Sequence, residues 1–143
     1  MEKTWTLNVV VDGGCKGNGS ESAVAYGSYA VMSAGGTVLF AQTDQYPELS
    51  TNNQAEVNAV LVALQAIKSR IEEAGKADPH NVDIRIKTDS QLVVGFFHAT
   101  KPYQRKDPTL RMLAAKVDLH KTAFRSVWIN KTSRNEVNRV LGH

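Results

Sequence analysis

Three acidic residues, Asp12, Glu56 and Asp89, lie where a folded chain could bring their side chains together. Asp12 ends the β-branched apolar run "TLNVVVD", Asp89 ends the alternating run "VDIRIKTD", and Glu56 lies near the start of a predicted helix. If the two strands are adjacent and parallel, their carboxyl ends meet at one edge of the sheet, where open α/β sheets bind ligands. Grouped carboxylates repel one another and need a cation, and their hard oxygen atoms suit Mg²⁺ or Mn²⁺.

The stretch "VVVDGGCKGNGS" at 9–20 could instead be a loop that cradles phosphate, or a hairpin turn. A Walker loop needs a lysine directly after its second glycine, but Ser20 follows Gly19. The dinucleotide-binding fingerprint is also excluded, because an apolar strand follows where a helix should begin. A hairpin turn at Asp12 therefore stays open as the alternative to a carboxylate that is carried to a metal.

The elements that must position these side chains are predicted from periodicity and turn residues. Apolar or alternating runs favour β-strands at residues 6–12, 23–33, 37–43, 82–89 and 124–130. Apolar residues at helical spacing favour helices at residues 51–71, 90–98, 108–121 and 134–141. Thr51 and Gln54 can form a capping box at the start of the first helix. The order βββαβααβα predicts a two- or three-layer α/β domain with a mixed sheet.

The composition is that of one globular domain covering residues 1–143, with 42% apolar and 22% charged residues. No stretch reaches the roughly 18 consecutive apolar residues of a membrane span, and the N-terminus lacks the features of a signal peptide. The single cysteine, Cys15, cannot form an internal disulfide, which fits a reducing compartment. We therefore expect a cytoplasmic protein that does not associate with membranes. Its net charge of +3 permits a polyanionic partner but does not require one.

Three motifs occur in an order and spacing that resemble the ribonuclease H type 1 family: "DGGCKGNG" at 12–19, "TNNQAE" at 51–56 and "TDSQLVV" at 88–94. The resemblance covers about residues 7–141. It implies a ribonuclease H-like fold, a five-stranded mixed sheet of order 3-2-1-4-5 flanked by helices. It also implies hydrolysis of the RNA strand of RNA/DNA hybrids to 5′-phosphate products, with two Mg²⁺ or Mn²⁺ ions clamping the scissile phosphate.

The resemblance also assigns roles to individual residues. Asp12 would bridge both ions, while Glu56 and Asp89 would hold the second ion. Thr51 would hold a phosphate of the DNA strand, and the glycines after Asp12, Gly13 among them, would let the backbone approach the RNA. The minor groove displays the 2′-hydroxyl groups of RNA, and four residues would read it: Asn18, Asn52, Asn53 and Gln91. Cys15 is assigned to the same substrate-binding loop, and no histidine has an evident claim to activate its thiol as a nucleophile.

The fourth carboxylate of the family, an aspartate on the last helix, is missing from this sequence. An ungapped alignment of "WINKTSRNEVNRVL" with the compact family pattern places Asn138 at that position and Arg134 at the position of an asparagine. Aligning Asn135 with that asparagine instead places Arg139 at the fourth position. We prefer Asn138 as the fourth catalytic and metal-binding residue, because an amide oxygen can ligate a hard cation whereas a guanidinium would repel it.

The larger family members carry a loop histidine before the last helix and a basic protrusion, and this sequence has neither. We expect Lys101, Arg105 and Lys106 to contact substrate phosphates in place of the protrusion, with a solvated linker as the alternative. His143, the final residue, could lie near the site or in a disordered terminus.

The sequence is thus interpreted as a compact endoribonuclease that acts on RNA/DNA hybrids as a monomer, without an obligate protein partner. One alternative is a hybrid-binding module whose catalysis is weakened or lost with the missing carboxylate. Another is a nuclease domain cut from a reverse transcriptase or transposon.

Overall fold

The structure is a computed structural model that describes residues 3–18, 20–97 and 107–142. Its strands are β1 (Trp5–Lys16), β2 (Val24–Ser33), β3 (Val38–Tyr46), β4 (Val82–Thr88) and β5 (Ser126–Lys131). Its helices are α1 (Asn52–Ala74), α2 (Gln91–Phe96), α3 (Pro108–Lys121) and α4 (Arg134–Leu141). A short 3-10 helix, Pro79–Asn81, precedes β4. The elements follow the predicted order.

The five strands form one mixed sheet with the order β3-β2-β1-β4-β5, which confirms the predicted fold class. β1 pairs antiparallel with β2 and parallel with β4, and β4 also pairs parallel with β5. The ladder between β1 and β4 ends at the pair Val10 and Lys87. Asp12 and Asp89 each lie two residues beyond that pair, so the two carboxylates come to the same edge of the sheet.

Strand β1 is longer than its apolar run predicts. It continues past Asp12 to Lys16 because this second half pairs with β2, with Asp12 opposite Ser28 and Lys16 opposite Val24. The interpretation of Asp12 as the end of the strand, or as the site of a hairpin turn, is therefore wrong. The turn begins instead at Gly17, whose φ of 69° lies in the left-handed region that favours glycine.

Helix α1 packs its apolar stripe against the sheet. The residues that the stripe buries are Val57, Ala59, Val60, Leu61, Ala63, Leu64 and Ile67. They share one core with the strand residues Val9, Val11, Val31, Ile84 and Ile86. Complete burial of one valine, leucine or isoleucine side chain contributes about 1.5–3 kcal/mol, so this interface holds the start of α1 firmly against β1.

The start of α1 has the predicted cap at Thr51 but not the complete capping box. Thr51 Oγ1 accepts a hydrogen bond from the Gln54 backbone N–H at 3.2 Å, as an N-cap residue should. Gln54 does not complete a capping box, because its Oε1 accepts from the backbone N–H of Ser50 at 2.9 Å. At the other end Gly75, with a φ of 66°, ends the helix. None of the helices in the described part of the chain is long and apolar enough to cross a membrane.

Candidate active site

Three carboxylates come together where β1, β4 and α1 meet. Asp12 lies on β1 and is only 6% exposed, Asp89 directly follows β4, and Glu56 lies half-buried near the start of α1. Burial raises the pKa of Glu56, and the negative charges of Asp89 and Asp12 raise it further. The three side chains therefore share one electrostatic environment at this edge of the sheet.

Gly13 allows β1 and α1 to approach each other closely at this point. A Cβ atom on Gly13 would lie 2.5 Å from the carbonyl carbon of Ala55 and 2.6 Å from the backbone nitrogen of Glu56. No other residue type fits there without moving the helix. The glycine was predicted to give RNA access to the backbone, and the structure gives it a contact inside the protein that the sequence pattern did not indicate.

Ser90 is a further site residue that the sequence analysis missed, although it lies in the third motif. It caps α2, because its Oγ accepts a hydrogen bond from the Val93 backbone N–H at 3.2 Å. The Ser90 side chain also lowers the pKa of the Glu56 carboxyl, against the larger effect of burial. Ser90 thus connects the start of α2 to the carboxylate on α1.

Arg134, the first residue of α4, bridges two of the carboxylates. Its Nη1 donates to Oδ1 of Asp12 at 3.0 Å and to Oδ2 of Asp89 at 3.0 Å. These two partners raise the pKa of the guanidinium above its ordinary value. The alignment placed Arg134 at the position of a family asparagine and assigned it no role. The structure therefore adds a permanent positive charge to the predicted site.

The three candidates for the fourth position lie differently on α4. Asn138 follows Arg134 by four residues, so the two lie on the same face of the helix. Its Oδ1 is buried and has no hydrogen-bond partner among the residues that the structure describes. Arg139 instead pairs with Glu136, from Nη2 to Oε1 at 2.6 Å, and Asn135 is exposed.

The described side chains are not arranged as a ready-made metal site. In residues 3–18, 20–97 and 107–142, no three His, Cys, Asp or Glu side chains are arranged to hold a metal ion. The guanidinium supplies the positive charge between Asp12 and Asp89 instead. The available ligands are nevertheless those a hard cation prefers, namely three carboxylates and the unpartnered amide oxygen of Asn138. The donor types of these residues, and not their present arrangement, fit such an ion.

Two of the four residues predicted to read the minor groove, Asn18 and Asn52, are hydrogen-bonded to each other. Asn52 Oδ1 accepts from the Cys15 backbone N–H at 2.6 Å, and the Asn52 backbone N–H donates to Asn18 Oδ1 at 2.7 Å. These bonds join the end of β1 to the start of α1. Because the side-chain oxygen of Asn52 is directed at Cys15, its amide NH₂ group is left to donate elsewhere.

The other predicted substrate residues lie nearby at helix starts. Asn53 and Gln91 are exposed in the first turns of α1 and α2, and Thr51 is the half-buried cap of α1. The predicted phosphate contacts Lys101, Arg105 and Lys106 lie outside the described residues, as does His143.

Gln54 was predicted as part of a capping box, but its buried amide makes a different contact. It is 7% exposed, and its Nε2 donates to Oδ2 of Asp107 at 2.9 Å. Asp107 in turn caps α3, accepting from the Thr109 backbone N–H at 2.8 Å. The second motif therefore also fixes the start of α3 relative to α1.

A family model described as RNase H matches residues 5–143. The chain belongs to the RNase H family. Members of this family generally use divalent metal ions, which agrees with the carboxylates gathered at the sheet edge. The family also accounts for the order of the three motifs along the chain.

Solved structures of RNase H proteins share this fold. The RNase H1 of the halophilic archaeon Halobacterium salinarum is 26% identical, with a TM-score of 0.76 over 94% of this chain and 91% of that one. The N-terminal RNase H domain of Rv2228c from Mycobacterium tuberculosis is 22% identical, with a TM-score of 0.75 over 97% and 92% of the two chains. LC11-RNase H1, from compost, in complex with an RNA/DNA hybrid, is 23% identical with a TM-score of 0.78 over 94% and 90%. None of the curated proteins matches the sequence.

Proposed function

We propose that this protein is a metal-dependent endoribonuclease that hydrolyses the RNA strand of RNA/DNA hybrids and leaves 5′-phosphate ends. The observation that carries the proposal is the meeting of Asp12, Glu56 and Asp89 at one sheet edge, in a chain that belongs to the RNase H family. The substrate motifs lie at the same edge, since Asn52 and Asn18 are hydrogen-bonded beside it. LC11-RNase H1, which shares the fold, was solved with an RNA/DNA hybrid.

In this proposal Asp12, Glu56, Asp89 and Asn138 hold two Mg²⁺ or Mn²⁺ ions. When bound, the ions supply the positive charge that acidifies the attacking water and stabilises the leaving 3′ oxygen. The residues of the chain orient these ligands. Ser90 favours the charged form of Glu56, and the tight contact of Gly13 with α1 sets the spacing of the carboxylates on β1 and α1.

The proposed selectivity for hybrids comes from the residues around the start of α1. The bond from the Cys15 N–H to the Asn52 oxygen fixes the Asn52 side chain before substrate arrives, so its amide can donate to a 2′-hydroxyl at little entropic cost. Asn18, Asn53 and Gln91 complete the minor-groove contacts, Thr51 holds a DNA-strand phosphate, and Gly13 and Cys15 line the loop. Double-stranded DNA lacks the 2′-hydroxyl and is expected to be a poor substrate.

A second candidate function is hybrid binding without efficient catalysis. It is favoured by one observation, the pairing of Arg134 with both Asp12 and Asp89 at 3.0 Å, which occupies one oxygen of each of these two proposed metal ligands. The substrate motifs are the same in both cases. The two functions therefore differ in cleavage and not in binding.

The deciding experiment is a cleavage assay on an end-labelled RNA/DNA hybrid with Mg²⁺, Mn²⁺ or EDTA, alongside a binding assay on the same hybrid. The enzyme should cleave with either metal and not with EDTA. Asp12→Asn should reduce the rate at least about 100-fold, or 2.7 kcal/mol of barrier, and leave binding largely intact. Asp118→Asn, which removes an exposed carboxylate on α3, should change neither. Binding without cleavage under every condition would select the second candidate, and the absence of both would exclude the two together.

A further inference from the structure

Arg134 has a relationship with the carboxylates that the proposed function does not use. One guanidinium nitrogen donates to two different aspartates, at 3.0 Å each. Its position between the oxygens of Asp12 and Asp89 is one in which a divalent cation would also be ligated by both residues. A guanidinium and a metal ion cannot share those oxygens without strong repulsion between the two positive charges.

The pair matters most to Asp12. Its side chain is 6% exposed, and among the described residues Arg134 is the partner with which it forms a hydrogen bond and ion pair. A buried carboxylate without a partner is strongly destabilising. The metal-free site therefore depends on Arg134 to neutralise Asp12.

Arg134 itself is free to leave. Its side chain is 55% exposed, and the helix that carries it is held by other residues. Ser133 Oγ caps α4 by accepting from the Glu136 backbone N–H at 3.1 Å, and Val137 is fully buried. The guanidinium can swing into solvent while α4 stays in place.

We propose that Arg134 is a built-in counter-ion of the site, and that a divalent metal ion binds Asp12 and Asp89 only by displacing it. The inference rests on the proposed function in that the metal is the cofactor of the same site. It adds that metal binding is an exchange of one cation for another. The apparent metal affinity is then weaker than that of the bare carboxylates, and Arg134 stabilises only the metal-free protein.

The test uses the protein alone, without nucleic acid, and measures Mn²⁺ binding by isothermal titration calorimetry. Arg134→Ala should bind Mn²⁺ about 10-fold more tightly than wild type, which corresponds to about 1.4 kcal/mol. The matched control is Arg139→Ala, which removes the same charge from the same helix; the Arg139 side chain is 71% exposed and pairs with Glu136. The control should change the dissociation constant less than about twofold. An Arg134→Ala affinity equal to that of wild type overturns the proposal.

Thermal unfolding separates displacement from simple repulsion by a nearby charge. In EDTA, Arg134→Ala should unfold at a lower temperature than wild type, because Asp12 loses its partner. In saturating Mg²⁺ the difference should disappear, because the metal has released Arg134 in the wild type as well. A difference of the same size in EDTA and Mg²⁺ overturns displacement. If the alanine variant folds poorly without metal, Arg134→Gln takes its place with the same expectations.

The outcome is distinguishable from that of the proposed function. Metal binding by exchange in a protein that cleaves no hybrid would leave this inference standing and remove the proposed activity. Metal-dependent cleavage by wild type, together with an Mn²⁺ affinity that is unchanged in Arg134→Ala, would support the proposed activity and overturn this inference. Failure of every variant to bind Mn²⁺ overturns the inference.

Discussion

Gly13 and Ala55 are in backbone contact so close that a Cβ on Gly13 would lie 2.5 Å from the carbonyl carbon of Ala55. Asp12 precedes the one residue and Glu56 follows the other. The contact therefore sets the distance between the two backbone segments that carry these carboxylates.

Replacing Gly13 with alanine should push α1 away from β1. We expect a loss of about 1–3 kcal/mol in the free energy of unfolding, as for other overpacked sites, and a fall in cleavage of up to about 100-fold. Thermal unfolding and the hybrid cleavage rate measure the two effects. Gly35→Ala is the control, since the nearest atom to a Cβ there is Ser33 Oγ at 3.9 Å. Wild-type stability and rate in Gly13→Ala would show that the helix can yield without consequence.

Asn138 should control the metal requirement through its buried, unpartnered Oδ1. An aspartate there returns the missing negative charge, so Asn138→Asp should shift the metal optimum for cleavage to lower concentration. Asn138→Ala removes the ligand and should cost at least about 10-fold in rate at limiting metal, or about 1.4 kcal/mol.

The control for that metal titration is Asn135→Asp, which adds the same charge to the exposed face of α4. It should leave the metal optimum near that of wild type. If the two aspartate variants shift the optimum equally, the effect is one of general charge and Asn138 is not a ligand.

Glu56 should make the metal-free protein less stable as the pH rises. Burial raises the pKa of Glu56 above its ordinary value of 4.5, so the folded state binds the proton more tightly than the unfolded state. Its contribution to stability is therefore complete below pH 4.5 and is lost as the pH rises through the folded-state pKa.

Glu56→Gln removes this titration, and in EDTA it should unfold at a higher temperature than wild type at pH 7. Melting temperatures between pH 4 and 8 test the expectation. The control is Glu72→Gln. Glu72 lies on the same helix in an exposed ion pair with Lys68, and its replacement should leave the pH dependence of the melting temperature as in wild type. A wild-type pH dependence in Glu56→Gln would contradict the assignment.

Asn52 should contribute to substrate binding through its amide NH₂ group. In the wild type, Asn52 Oδ1 accepts from the Cys15 N–H at 2.6 Å. Asn52→Asp keeps an oxygen for this bond but loses the NH₂ group that would donate to the 2′-hydroxyl. We expect the KM for hybrid to rise about 10-fold, or 1.4 kcal/mol, with the melting temperature close to that of wild type. Gln65→Glu, an exposed position on α1, adds the same charge and should have a smaller effect. Equal changes in KM would attribute the result to charge alone.

The order of strands and helices could be predicted because it depends on local patterns, whereas the strand order in the sheet and the roles of Asp12, Glu56 and Asp89 came from the resemblance to the ribonuclease H type 1 family. The apolar stripe of α1 and its cap at Thr51 are readable from spacing and residue type. The role of Arg134 could not be predicted in this way, because its bond to Asp12 joins residues 122 positions apart. The second half of β1 was also missed, because backbone pairing with β2 and not an apolar pattern holds residues 13–16 in the strand.

The buried amide of Gln54 offers a route for engineering. It anchors Asp107, the N-cap of α3, to the same turn of α1 that carries Glu56. A basic segment could be inserted directly before Asp107, with its far end tethered to that anchor. The anchor would let such a chimera gain affinity for nucleic acid while the carboxylates keep their arrangement.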